Sequence, residues 1–192
     1  MKIKFTPYAT LVGFNSRKAA QLCAWFASKS SSGIAKLKLI KLVYLAEREN
    51  LALYGQPMLF DEMFSLEHGP VCSNTLNGIN ECNDLPIWKQ FISLTDRTVK
   101  AVKPFDPDIY DDMSPADLEV LETTWSSFGH MTSSQIRNYT HKFCPEYTEV
   151  TSGRIEIDYK DIFRALGDAE IEAEAQSESI KAYRRAEAVL RA

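Results

Sequence analysis

The chain has 192 residues, 45% of them hydrophobic and 25% charged, with a formal net charge of −4. That length and balance suffice for a self-sustaining core, which excludes a wholly disordered chain and a small disulfide-stapled one. The acidic surplus argues against nucleic acid as the main partner, because phosphate affinity comes from basic side chains that displace counterions.

No stretch approaches the roughly 18 apolar residues of a membrane span. Residues 1–7 lack the apolar core of a secretory leader, so a cytoplasmic protein with no membrane role is expected. Cys23, Cys72, Cys82 and Cys144 form no C-x-x-C pair, and His68, His130 and His141 are scattered. Reduced thiols, no metal and no other cofactor are the expectation.

In chain order, residues 1–15 read as an irregular arm. From Ser16 the spacing of Ala19, Leu22, Cys23 and Phe26 predicts a helix, broken by the serines and Gly33 of residues 28–33. Residues 34–54 are apolar on nearly every side, which predicts a central buried helix; Gly55 stops it and Pro57 prevents continuation. Arg17 with Lys18, and Lys36, Lys38 and Lys41, read as solvated helix faces. Residues 58–70 suggest an extended crossing segment that ends in His68-Gly69-Pro70, followed by a short helix to Asn80. Residues 91–94 and 98–102 alternate around Asp96-Arg97 and predict a hairpin.

Ser114, Pro115 and Asp117 form a helix start, with Leu118, Leu121, Trp125 and Phe128 as its stripe. Thr132 and Gln135 repeat the capping-box spacing for a helix carrying Ile136 and Tyr139, which Pro145 stops. Residues 154–158 read as extended, and Asp158 caps a helix holding Ile162, Phe163 and Leu166. Residues 168–192 form a tail helix whose apolar edge (Ile171, Ile180, Tyr183, Val189 and Leu190) is too thin to stand alone. It must dock on its own body, a second copy or a partner. The fold class expected is therefore mainly α: one compact multi-helix domain with a small β-hairpin or short extended segments and a C-terminal helix.

Chemistry is sparse in this pattern. The His68 ring is expected to bond locally and pin its turn, since Glu67, its sequence neighbour, points to the opposite face of an extended segment. Glu47 and Glu49 lie two apart on a helix and read as a surface charge run or a salt bridge rather than an acid–base pair. The residues alone leave the function open.

Leu39, Lys41, Leu42, Tyr44, Leu45 and Arg48 stand in a string, residues 39–48, that resembles the signature helix of the Panacea domain family, the SocA-like antitoxins. Gly55-Gln56-Pro57 looks like the family's G-x-P, and His68-Gly69-Pro70-Val71 like its H-G-P-V. Residues 73–80, 114–117, the pair Thr140-His141 and residues 159–167 continue the likeness in order. One departure is Pro145-Glu146-Tyr147, where many relatives carry tryptophan. The resemblance covers about residues 16–167, which divides the chain into an arm (1–15), the domain (16–167) and a helical extension (168–192).

What the resemblance implies is an antitoxin that neutralises a co-encoded toxin by direct binding. The alternatives are an adaptor that delivers the toxin to a Clp-family protease and, from another class, an enzyme using His68 or His141. The motif residues would form scaffolding or position a partner. Phe105, Tyr110, Ile180, Tyr183 and Leu190 are the expected toxin contacts. The oligomeric state stays open.

Overall fold

The structure is a computed structural model that describes residues 13–191, with side chains to residue 186. Most of the predicted arm, residues 1–12, and the expected contact Leu190 lie outside the described residues and side chains. The described residues form eight helices and two three-stranded antiparallel sheets, a mainly α architecture. None of these helices is long and apolar enough to cross a membrane.

Helix α1 (Ser16–Ser28) starts because Asn15 Oδ1 accepts from the amides of Arg17 and Lys18, two donors the first turn would leave orphaned. Every residue from Ala19 to Ala27 is buried, so the helix is enclosed on all sides rather than along the one predicted face. Arg17 pairs with Asp111 and Asp112, and Lys18 with Asp117. The expected solvated face is instead an ion-paired seam.

The next helix begins two residues later than expected. Ile34–Ala35 is a short strand, β1, because Ile34 lies opposite Val99 in a sheet ladder, and that pairing outcompetes the helical pattern. Helix α2 (Lys36–Tyr54) follows and packs against α1. It buries Leu39, Ile40, Leu42, Val43, Tyr44, Leu45, Ala46 and Leu51. Gly55 ends it at φ 64°, its amide closing on the Leu51 carbonyl. Two charged residues on this helix depart from the sequence reading. Lys41 and Glu47 are both without exposed surface, whereas the sequence reads Lys41 as part of a solvated face and Glu47 as a surface charge or salt bridge. Glu47 accepts from the amides of Met58 and Leu59, each at 2.6 Å, and so satisfies the backbone of the loop that leaves the helix.

The expected crossing segment is a tight hairpin. Strands β2 (Met63–Leu66) and β3 (Gly69–Cys72) pair through Leu66 opposite Gly69 and Ser65 opposite Pro70, with Glu67-His68 as the turn. Pro70 is tolerated there because β3 is an edge strand. Helix α3 (Ser73–Ile79) is capped from a distance by the buried Asp61, which takes the amides of Asn74 and Thr75 at 2.8 Å. Helix α4 (Leu85–Phe91) has no counterpart among the sequence expectations. Strands β4 (Ile92–Thr95) and β5 (Thr98–Ala101) form the predicted hairpin, and β1 joins it.

Helix α5 (Pro115–Phe128) and helix α6 (Ser133–Phe143) carry full capping boxes, Ser114 with Asp117 and Thr132 with Gln135. On α5 the buried residues are Asp117, Val120, Leu121 and Thr124, while Leu118, Trp125 and Phe128 are only half-buried. Strand β6 (Ile155–Ile157) adds to β2. Helix α7 (Tyr159–Leu166) is capped by Asp158, and helix α8 (Glu170–Arg191) packs against it.

That docking shares only Ile180 with the predicted edge among the described side chains. Ala173, Ser177 and Ile180, spaced as one helix face, are buried, and Ile171 is 80% exposed. Ser177 Oγ and Lys181 Nζ both bond Asp158. Small and polar residues close the seam, which an apolar count underweights. Of the expected toxin contacts, Ile180 (0% exposed) and Tyr110 (2%) are therefore corrected: both belong to the core. Tyr110 packs edge-on against Phe91 and Phe105, and its hydroxyl donates to the Lys103 carbonyl. Phe105 is half-buried beside it, and Tyr183 is exposed yet stacks on Phe60 at 5.0 Å.

Candidate functional site

The motif residues converge on the turn between β2 and β3. Lys41, one turn into α2, donates from Nζ to the Pro70 carbonyl at 2.7 Å, inside the protein. Gly69 sits above it at φ +98°, a conformation open to glycine and strained for other residues. A Cβ at that position would stand 2.9 Å from Lys41 Nζ and 3.0 Å from His141 Nε2. Lysine, glycine, proline and histidine thus form one unit, with the glycine leaving room for two nitrogen-bearing side chains.

His141 faces the Tyr147 ring at 4.5 Å between centroids, and its buried Nε2 has no hydrogen-bond partner among the described residues. Thr140 is buried and returns its hydroxyl to the Arg137 carbonyl. Tyr147 donates to the Leu66 carbonyl at 3.1 Å, tying the segment after α6 to β2. Burial pushes the Lys41 amine down to about 7, with Arg137 adding to the effect. Burial also holds the His141 imidazole below its ordinary range, and Arg137 and Lys41 push the same way.

His68 does not pin the turn as expected. Its ring is exposed and makes no hydrogen bond among the described residues. The turn is held from below, by the lysine bond to its proline carbonyl. The His-Gly-Pro string marks the turn but gives no sign of a lysine twenty-nine residues away.

A second cluster secures the other half of the signature helix. Tyr44 hydroxyl and Arg48 Nε converge on Glu146 Oε1 at 2.6 and 2.9 Å, with the glutamate side chain fully buried. Glu146, in the stretch Pro145-Glu146-Tyr147, thus ties the segment after α6 to α2 by charge. Gly55 ends α2 and Pro57 is buried in the loop that follows. Leu39, Leu42 and Leu45 are core residues.

Beside the turn lies a groove of about 700 Å³. Its floor is apolar: Leu37, Ile40, Leu66, Val71 and Leu76. Lys36, Lys41, His68 and Arg97 stand in its walls, with Glu67 as the one carboxylate among its lining residues. Arg97, Ser133, Ser152 and Gly153 were not among the sequence candidates. Asp96-Arg97 was legible as a turn, but only the β1–β5 pairing brings it to the start of α2.

Gly69→Ala is expected to destabilise the fold by roughly 2–3 kcal/mol, from backbone strain plus the two close nitrogens. Gly153→Ala separates these causes, since Gly153 has φ +75° but nothing within 4 Å of a new Cβ. Urea melts that show equal losses for both variants would remove the contact contribution.

These residues define a helical scaffold in which a signature helix holds a turn, a neighbouring loop and an open groove in fixed relation. A family model described as antitoxin SocA-like, Panacea domain, matches residues 39–147, more than half of the chain. The chain belongs to that family. No curated protein and no solved structure matches it.

Proposed function

We propose that this chain is an antitoxin that neutralises a toxic protein encoded beside it by binding that protein directly, in the cytoplasm and without catalysis. What carries the reading is the family match over residues 39–147, within which the signature residues are spent on scaffold. Lys41 supports a carbonyl, Tyr44 and Arg48 hold a buried glutamate, and Gly69 makes room. Side chains consumed in this way fix a shape, and a fixed shape lowers the cost of binding. A domain of this size can present the roughly 1,200–2,000 Å² that a stable complex buries. The domain proposed runs from residue 16 to 167, because α1 and α7 share the core with the matched stretch.

The test is co-expression with the neighbouring reading frame. Protection of growth, a co-purifying complex and undiminished toxin support direct neutralisation. Toxin that disappears only in cells with an active Clp-family protease would establish the adaptor route instead. His68→Gln removes the proton chemistry of the exposed ring, and unchanged protection is expected; loss of protection with retained toxin binding would favour an enzyme.

The extension 168–192 gives a further expected result. Deleting it uncovers the face of α7 and lowers the melting temperature, because Ile180 and Ala173 leave the core. Protection is expected to fall only as far as folding does if Tyr183 contributes nothing to the toxin. Tyr183→Ala, an exposed change, reads out that contribution alone.

A further inference from the structure

Roughly half of the described basic side chains on this acidic protein are matched. Arg17, Lys18, Lys29, Arg48, Lys160, Arg164 and Lys181 each have a carboxylate partner. Unmatched lysines and arginines also lie elsewhere, Lys89 and Lys103 among them, but the groove beside the His-Gly-Pro turn gathers Lys36, Lys41 and Arg97 around a single carboxylate, Glu67. Lys36 bonds only the neutral Asn80 side chain, Lys41 only the Pro70 carbonyl, and the exposed Arg97 has no ion pair among the described residues. Arg137, close enough to Lys41 and His141 to depress both, has a buried Nε without a partner. Lys36 and Arg97, without carboxylate partners beside an apolar floor in a chain whose net charge is −4, amount to a complementary half of an interface.

We infer that this groove seats a short acidic and apolar segment of the toxin, with leucine-like side chains on the Ile40–Leu66–Val71 floor and carboxylates against Lys36 and Arg97. The inference rests on the direct-binding reading. The apolar floor favours a peptide over a phosphate ligand, since a phosphate needs converging amides or cations and gains nothing from leucines. The overall acidity disfavours a nucleic acid strand.

Two measurements on the full chain test it. In the first, a synthetic capped peptide of four Glu-Leu repeats is titrated into isotope-labelled protein. Amide shifts are expected at Leu37, Ile40, Arg97 and Gly153, and not with a peptide of four Lys-Leu repeats. In the second, Lys36→Glu with Arg97→Glu is expected to weaken binding of the co-encoded toxin at least roughly tenfold and to flatten its salt dependence. Lys103→Glu, an exposed charge reversal outside the groove, should leave both unchanged, and circular dichroism verifies folding of each variant. Toxin that binds the double variant as tightly as the wild type overturns the groove while leaving the antitoxin reading intact. Toxin that binds neither defeats the direct-binding reading, and the peptide titration then decides the groove alone. Shifts that are absent, or equal for both peptides, overturn it.

Discussion

Arg48→Ala should be among the most destabilising single substitutions in this chain, costing about 3–5 kcal/mol, the usual range when one partner of a buried ion pair is removed. Glu146 has a fully buried side chain, and one of its oxygens, Oε2, has no hydrogen-bond partner among the described residues. The other oxygen takes both the Arg48 guanidinium and the Tyr44 hydroxyl. Without the arginine, the carboxyl keeps only the phenol as a protein partner. For a domain of this size the loss corresponds to a fall in melting temperature of about 10 °C or more. Arg48→Ala combined with Glu146→Gln should recover much of it, because an amide is far cheaper to bury than a carboxylate. A single-variant loss under about 1 kcal/mol, measured by urea melts, would show that the pair behaves as a surface contact.

Stability should rise between pH 7 and pH 9, and Lys41 should be the cause. The amine titrates at about 7 in the fold against 10.5 when free. Throughout the window between these values the unfolded chain carries a proton that the folded chain has shed, so raising the pH favours the fold. The contribution is complete above 10.5 and is lost as the pH falls through about 7. Over the two pH units from 7 to 9 it amounts to roughly 2–3 kcal/mol. Above 9 the trend should turn over. Burial pushes the thiols of Cys23, Cys72 and Cys144 up, so the unfolded chain then releases protons that the fold retains. Below 7 the Glu47 carboxyl, pushed up to about 7 by burial, acts in the opposite sense to Lys41: its contribution is present below 4.5 and lost as the pH rises through about 7. Lys41→Met should flatten the rise from 7 to 9 without abolishing folding, although the Pro70 carbonyl then loses its donor. Urea midpoints at pH 7, 8 and 9 are the measurement. A rise that survives in Lys41→Met would assign it to other groups.

These two expectations also mark where the sequence was readable and where it was not. Helix starts were legible because they are local: Ser114 with Asp117 and Thr132 with Gln135 close their boxes within four residues. The hairpin at 92–101 and the stop at Gly55 are local in the same sense. Lys41, Glu47 and Asp61 were misjudged or passed over because charge predicts exposure unless a partner is known, and their partners lie eleven or more residues away. Asp61 replaces a local cap for α3, so no capping residue marks that start. Helix α4 was missed for a related reason: its first residues follow Asp84 in a left-handed conformation with no side-chain cap. The turn of the candidate site was visible as His-Gly-Pro, whereas the groove was not, because its lining comes from five separate stretches, two of which meet only through β1 pairing with β5.

Strand β6 and helix α1 lie on either side of the stretch by which the family is recognised, yet both are built into it. Residues 155–157 complete the sheet whose hairpin carries the candidate turn, and α1 lays nine consecutive enclosed residues against α2 and its neighbours. A gene cut at residues 39 and 147 would keep the whole matched stretch and is expected to lose the means to fold. Chimaeras that trade specificity between relatives would therefore need their joints outside α1 and α7, and exchange of the recognisable heart alone should give insoluble protein.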